Sequence, residues 1–225
     1  MTGPHWRLRA WGWLLACLLL VSAGIAGATP QQLADRSYAT TELLQASAVL
    51  ADPPKQLSLD DVRRLDAERR FQSLERPFGA GYVRGAYWMR LQLQRGDATQ
   101  ADWWLQLSPP YLDDIRMFHV LPDGQLKSEQ RDGDRVPQVN TVHRAPTFAL
   151  QLAPGLNTVY LRVESTSSMA ILPSLVPMKD ATSEWQQEYM VLGLYTGLEL
   201  ALVVAAVLGA AMLRRRVYVL FAIFV

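Results

Sequence analysis

Residues 87–94 read Tyr-Trp-Met-Arg-Leu-Gln-Leu-Gln, and this stretch decides the fold class. Its odd positions carry Tyr, Met, Leu and Leu, whereas its even positions carry Trp, Arg, Gln and Gln. A side-chain period of two is typical of a β-strand with one buried face. Similar alternation recurs at residues 103–107, 115–121, 148–152 and 159–163. We therefore predict an all-β antiparallel sandwich or jelly roll.

The strand pattern has clear limits along the chain. No alternation appears before Gly79, so we predict a helical or irregular segment over residues 29–78 and the β-sandwich domain over residues 79–180. Within the first segment, Leu-Ser-Leu-Asp-Asp-Val at residues 57–62 is typical of a capped start to a short helix. Prolines 173 and 177 place the last apolar run at a sheet edge or on the exit towards a membrane.

The N-terminus has the order of features of a secretory signal. Arg7 and Arg9 precede an apolar run over residues 11–25, which closes on Ala-Gly-Ala at residues 26–28. We predict a cleaved signal peptide over residues 1–28 in preference to an uncleaved anchor, because the apolar core is short for a span. The only cysteine, Cys17, lies inside it. The mature chain is therefore expected to have no disulfide, cysteine zinc site or cysteine nucleophile.

A second apolar stretch, residues 189–213, is long enough to cross a bilayer as a tilted helix. It is followed directly by Arg214, Arg215 and Arg216. Positive residues stay on the cytoplasmic side, so we predict an inner-membrane protein with residues 29–188 outside, in the periplasm or extracellular space. The apolar residues 217–225 are predicted to start a second, truncated transmembrane helix in preference to a tail that lies along the inner membrane interface.

Glu199 is the one charged residue within the predicted span. A charge is costly there and normally faces other helices or an aqueous cavity, so it favours a bundle of helices over a lone anchor. Net charge is +1, with no Lys/Arg block outside the membrane flanks. This distribution argues against a nucleic-acid partner.

Residues that could carry chemistry form no recognisable catalytic or metal site. The acid pairs at residues 60–61 and 113–114 are predicted to cap a helix or to sit in turns. Asp-Gly-Asp at residues 132–134 lacks the later acidic ligand of a calcium loop. His119 and His143 stand apart, without a nucleophile turn elsewhere. We therefore predict no enzyme activity, metal or cofactor for this chain.

Several motifs occur in an order that resembles one family. They are Leu-Ser-Leu-Asp-Asp-Val (57–62), Gly-Tyr-Val-Arg-Gly-Ala-Tyr-Trp-Met-Arg-Leu-Gln-Leu (81–93), Trp-Leu-Gln-Leu-Ser-Pro-Pro-Tyr-Leu-Asp-Asp-Ile-Arg-Met-Phe (104–118), Gly-Asp (133–134), Arg144, Phe-Ala-Leu-Gln-Leu (148–152), Thr-Val-Tyr-Leu-Arg-Val (158–163), Gly-Leu-Tyr-Thr-Gly (193–197) and Arg-Val-Tyr-Val-Leu-Phe (216–221). Together they resemble the extracellular domain and first helices of bacterial seven-transmembrane receptors with diverse intracellular signalling modules, the 7TMR-DISM family.

The resemblance implies a jelly-roll sensor for carbohydrate-like or other small ligands, which precedes seven helices in the chain. Family members carry cytoplasmic diguanylate cyclases, histidine kinases or phosphatases, none of which this chain contains. We therefore predict a ligand-sensing module that relays its signal through the membrane, with a homodimer left open. The alternatives are a membrane-anchored carbohydrate-active enzyme and a non-sensing module that binds a partner protein, because a sandwich supports all three roles.

Alternation also predicts where a ligand would bind. Trp88, Trp104 and Tyr160 fall on the polar faces of their strands. An aromatic ring beside polar side chains suits a sugar, whose C–H face packs on the ring. The candidate ligand-binding residues are these three rings with their neighbours Arg90, Gln106 and Arg162, and Arg144 from the family motif. Two alternatives remain open: the segment before Gly79 covers the rings, or their strands belong to opposite sheets.

Overall fold

The computed structural model describes residues 28–137, 143 and 145–213. Eleven strands occur within this part of the chain: β1 Gln31–Gln32, β2 Ser47–Asp52, β3 Gln72–Ser73, β4 Phe78–Tyr82, β5 Ala86–Arg95, β6 Asp102–Ser108, β7 Asp114–Val120, β8 Leu126–Asp132, β9 Thr147–Gln151, β10 Gly155–Glu164 and β11 Ser168–Pro177. The helices are α1 Thr40–Leu43, α2 Leu59–Ala67 and α3 Met178–Leu213, with a 3-10 turn at Leu44–Ala46.

The strands form two sheets whose inner faces share one core. The larger sheet has the order β3-β2-β5-β10-β7-β8, with β1 added parallel to the end of β5, and the smaller has the order β4-β11-β6-β9. All other pairings are antiparallel. Side chains such as Leu91 and Leu161 of the larger sheet and Leu105 of the smaller one are fully buried in the shared cluster. The predicted all-β antiparallel fold class is confirmed.

The prediction of a helical or irregular segment over residues 29–78 is wrong in part, because the segment contains three strands. Strand β2 pairs with β5 from Ser47 opposite Leu91 to Asp52 opposite Ala86, and the short strands β1 and β3 also lie in this segment. Strand β2 shows no alternation because both of its faces are covered: residues 47–49 are buried consecutively. The helical part of the prediction is confirmed at α2. There Ser58 and Asp61 cap each other's backbone N–H groups in a capping box.

The two prolines of β11 sit where the sheet does not need their N–H groups. Strand β11 pairs with β4 through residues 168–171 and with β6 through residues 172–177, so its second half has a neighbouring strand on one side and only the bridge from Leu175 to Tyr38 on the other. The backbone N–H of Leu175 donates to Tyr38, away from β6. Because backbone direction alternates along a strand, Pro173 and Pro177 face the same side as Leu175 and remove no hydrogen bond to β6.

Strand β11 leads directly into α3, which has 36 residues. Within α3, Tyr189–Gly209 is long and apolar enough to cross a membrane, with a mean hydropathy of 2.2. The exit predicted for the last apolar run is therefore present. The predicted signal peptide, except for Ala28, and residues 214–225 lie outside the described residues, so predictions for those segments stay predictions.

Candidate ligand site and its link to the membrane helix

Two of the three aromatic rings predicted to face a ligand are buried. Trp88 is fully buried and stacks on Phe118, with ring centroids 5.7 Å apart and planes 22° apart. Tyr160 is 5% exposed and belongs to the same small cluster, which Val62 of α2 covers. The placement of Trp88 and Tyr160 on an accessible platform is therefore wrong, because the segment before Gly79 packs over this face of the larger sheet.

Arg90 contributes to a polar network under α2 and not to a ligand surface. Its guanidinium forms an ion pair with Asp66, and both side chains are 13% exposed. The Tyr160 hydroxyl donates to the same carboxylate over 2.7 Å. Burial, together with this bond to Asp66, raises the pKa of Tyr160 far above its usual value. Asp66 therefore holds the helix on the sheet through Arg90 and Tyr160, while the Nε of Arg90 is buried without a partner among the described residues.

Arg162 is likewise engaged within the protein. Its Nη1 lies 2.5 Å from the carboxylate of Glu164, and its Nη2 donates to the backbone carbonyl of Lys55 over 3.2 Å. Lys55 pairs with the other oxygen of Glu164 at 2.6 Å. Burial would raise the pKa of Glu164, but the hydrogen bonds from Lys55 and Arg162 outweigh it and lower that pKa. The ligand role of Arg162 stays a prediction.

The remaining predicted residues lie elsewhere in the molecule. Trp104 and Gln106 are half-buried on β6 of the smaller sheet, and the Trp104 ring lies 5.2 Å from the ring of His143. The three predicted aromatics therefore do not share one surface. Arg144 lies outside the described residues. Glu199 lies on α3, where its carboxylate accepts a hydrogen bond from the Tyr195 hydroxyl.

Acidic residues that were predicted to cap a helix or to sit in turns form contacts within the domain, although Asp114 and Asp132 lie in strands. Asp61 caps α2, and Asp113 Oδ2 accepts the backbone N–H of Thr166 at 2.8 Å. Asp132 accepts the backbone N–H groups of Gly133 and Thr147. Within the described residues there is no group of three or more His, Cys, Asp or Glu side chains placed to hold a metal ion.

A surface cavity that sequence reasoning missed lies beside the loop from β4 to β5. Its volume is about 280 Å³, and its lining is mostly apolar. The lining residues are Ala51, Pro53, Val83, Arg84, Gly85, Ala86 and Tyr87. Such a pocket combines aliphatic walls, one aromatic ring and one cation, which is the composition of many small-molecule sites.

Gly85 holds the cavity loop close to β2. A Cβ atom at this position would lie 3.0 Å from the Cα of Pro53 and 3.4 Å from the carbonyl oxygen of Asp52. A larger residue would push the loop away and open the wall. The signal for this site in the sequence was the run Val-Arg-Gly at residues 83–85, which lies inside one of the family-like motifs but carries no alternation.

The cavity connects to the membrane helix through two paired strands. Strand β4 ends at Tyr82, next to the cavity loop, and pairs with the first half of β11. Strand β11 continues without a linker into α3. The start of α3 is fastened to the domain, because Lys179 Nζ lies 3.4 Å from Asp35 Oδ2 and Ala181 is buried.

Comparison with known families agrees with this architecture. Residues 45–176 match the family model described as 7TMR-DISM extracellular 2, which is more than half of the 225 residues and runs from just before β2 to near the end of β11. No curated protein matches the chain. The matched family is one of extracellular receptor domains and not of enzymes. With a helix able to span a membrane, this indicates a membrane protein with an exported segment.

Proposed function

The chain belongs to the 7TMR-DISM extracellular 2 family, and on this premise we propose that it is the ligand-sensing module of a bacterial membrane signalling receptor. A small ligand, in this proposal a carbohydrate, binds the domain outside the inner membrane. Binding then biases transmembrane helices that control a cytoplasmic output domain. The observation that carries the proposal is the direct passage of β11 into α3.

Because β11 continues into α3 without a flexible linker, a movement of the strand is passed on to the helix. A ligand changes the output only if it binds two arrangements of the receptor with different affinity. The cavity loop lies between β4 and β5, so its closure around a ligand would shift β4 against β11. A shift of β11 carries over to α3 at the junction of Pro177 and Met178.

The cavity suits a ligand the size of one sugar ring. Its volume of about 280 Å³ is just below the usual range of ligand pockets, which limits it to a ligand of about this size. Tyr87 offers an aromatic ring for the C–H face of a sugar, and its hydroxyl has no hydrogen bond to any described residue. Arg84 is exposed at the rim, where it can donate to ring hydroxyls.

Filling the cavity tests the ligand site. Ala51 is exposed on β2 and lines the cavity, so Ala51→Trp should occupy it without disturbing the core. Purified chain in nanodiscs would be screened by thermal shift against glucose, galactose, N-acetylglucosamine and glucuronate. We expect at least one sugar to raise the melting temperature of the wild type by a few degrees and to have no effect on Ala51→Trp. Ala98→Trp, at an exposed loop position, is the matched control and should keep the response.

The relay needs a separate measurement. Nitroxide labels at the exposed positions Glu68 and Gln186 would report the distance between the domain and the start of α3 by pulsed electron resonance. The sugar found in the screen should change this distance in the wild-type background and leave it unchanged in Ala51→Trp. If the sugar binds and the distance does not move, the domain binds its ligand without signalling through α3.

A further inference from the structure

A row of three arginines crosses the outer face of the larger sheet. Arg116 on β7 lies directly opposite Arg162 on β10 and directly opposite Arg131 on β8. Like charges in directly opposed positions repel each other, so such a row needs compensating anions. For the two flanking arginines the compensation is present. Arg162 pairs with Glu164, and Arg131 forms two hydrogen bonds, of 2.7 and 2.8 Å, with the carboxylate of Asp114.

The central arginine has no such compensation. Arg116 makes no hydrogen bond or ion pair with any residue that the structure describes, and its Nε is buried without a partner. The side chain as a whole is half-buried, and its two Nη groups are not among the buried atoms that lack a partner. The Nη groups therefore reach the surface, while the stem and the Nε are fixed against the sheet.

The surrounding charges leave a net positive site. The nearby cations are Lys55, Arg116, Arg131 and Arg162, and the nearby carboxylates are Asp114, Glu129 and Glu164. Glu129 lies diagonally across from Arg116 on β8, is exposed and forms no ion pair with it. The other two carboxylates are already occupied by Lys55, Arg131 and Arg162. The face therefore presents one guanidinium that is free to bind an anion.

We propose that this face binds a small oxyanion, a carboxylate, sulfate or phosphate group, with Arg116 as the residue that holds it. A guanidinium donates two parallel N–H bonds to such a group, and the flanking arginines add a favourable field. The site lies on the outer face of the larger sheet, apart from the cavity beside residues 83–87, and does not depend on the proposed carbohydrate site.

The test is calorimetric titration of the full chain in nanodiscs at constant ionic strength. The probes are inorganic phosphate, sulfate and glucuronate, with glucose as the neutral control. At least one of the three oxyanions should bind the wild type, and Arg116→Gln should weaken that binding about tenfold or more. Glucuronate alone would identify a sugar acid as the ligand class, whereas phosphate or sulfate would identify an inorganic or esterified anion.

Controls separate a specific site from general charge effects. Arg76→Gln removes an exposed arginine that has no ion pair with a described residue and should leave oxyanion binding unchanged. Arg116→Lys keeps the charge but lacks the two parallel N–H donors of the guanidinium, so it should bind the oxyanion with intermediate affinity. Because Arg116 has no partner among the described residues, Arg116→Gln should melt at or above the wild-type temperature. The proposal is overturned if no oxyanion binds, if Arg116→Gln binds as the wild type does, if Ala51→Trp abolishes oxyanion binding, or if Arg116→Gln melts well below the wild type.

Discussion

The Tyr160 hydroxyl donates a hydrogen bond of 2.7 Å to Asp66, although the two residues are 94 positions apart in the chain. Asp66 is near the end of α2, and Tyr160 is in the middle of β10. The same carboxylate pairs with Arg90 of β5, so one side chain fastens the helix to two neighbouring strands. This attachment buries the face that the alternation pattern assigned to a ligand.

Asp66→Asn should destabilise the domain by about 3 kcal/mol, because Arg90 would remain buried without a charged partner. Urea denaturation of the wild type and the variant would measure the difference in the free energy of unfolding. Asp60→Asn is the matched control on the same helix. Asp60 is exposed in the first turn, so its loss should cost less than about 1 kcal/mol. Equal effects of the two substitutions would contradict the role assigned to Asp66.

Trp88→Ala should lower the free energy of unfolding by about 3 to 5 kcal/mol, the range for truncation of a fully buried tryptophan. Trp104→Ala removes the same side chain from a half-buried position and should cost clearly less. Thermal and urea melts of both variants would show which substitution lowers the free energy of unfolding more. If Trp88→Ala were as mild as Trp104→Ala, α2 would not cover the ring as the structure has it.

Alternation predicted the strands that have one buried and one less buried face, such as β5 and β10. It failed for β2, whose residues 47–49 are buried in succession, because a period of two requires a polar face. It also gave no signal for β8, Leu-Lys-Ser-Glu-Gln-Arg-Asp, where no residue is fully buried. This strand lies at an edge of the larger sheet. Backbone hydrogen bonds to β7 hold it there, and they leave no pattern in the side chains.

The same limit explains why the predicted site was incomplete. A strand pattern shows that Trp88 lies on the face opposite Met89, but not whether a helix from elsewhere in the chain covers that face. Only the tertiary contact of Val62 with the Trp88 cluster decides this. The cavity beside residues 83–85 was equally hidden, because it depends on how closely a loop approaches Pro53.

The stability of the domain should fall as the pH drops from about 7.5 to about 5.5, and His119 should contribute to the fall. His119 is 1% exposed, and burial lowers its pKa, although its hydrogen bond with Asn157 at 3.1 Å acts in the opposite direction. Because the folded pKa is lower than the unfolded one, the unfolded chain takes up the proton first. The stabilisation is therefore complete above the unfolded pKa of about 6.5 and is lost as the pH falls below it.

His119→Gln tests this assignment. The Asn157 Oδ1 accepts the backbone N–H of Ala153, so it faces His119 as an acceptor, and the amide of a glutamine can replace the ring as donor. Urea melts at both pH values should show a smaller loss of stability for His119→Gln than for the wild type. His143→Gln is the comparison. Burial lowers the pKa of His143 too, but this side chain is only half-buried, so its protonation should change the stability less than that of His119. An unchanged pH dependence in His119→Gln would show that other groups carry it.

Fusions to alkaline phosphatase should show which parts of this chain lie on each side of the membrane. The enzyme folds to its active form only after export, so fusion after Pro177, the last residue of β11, should give activity in an exporting host. Fusion after Arg216 should give little, because residues 214–216 are arginines and follow the apolar span Tyr189–Gly209. Replacing the three arginines with glutamine removes the charge asymmetry and should raise activity at the second point, provided the protein level on immunoblots is the same. Equal activity at both points in the unmodified chain would mean that α3 does not cross the membrane.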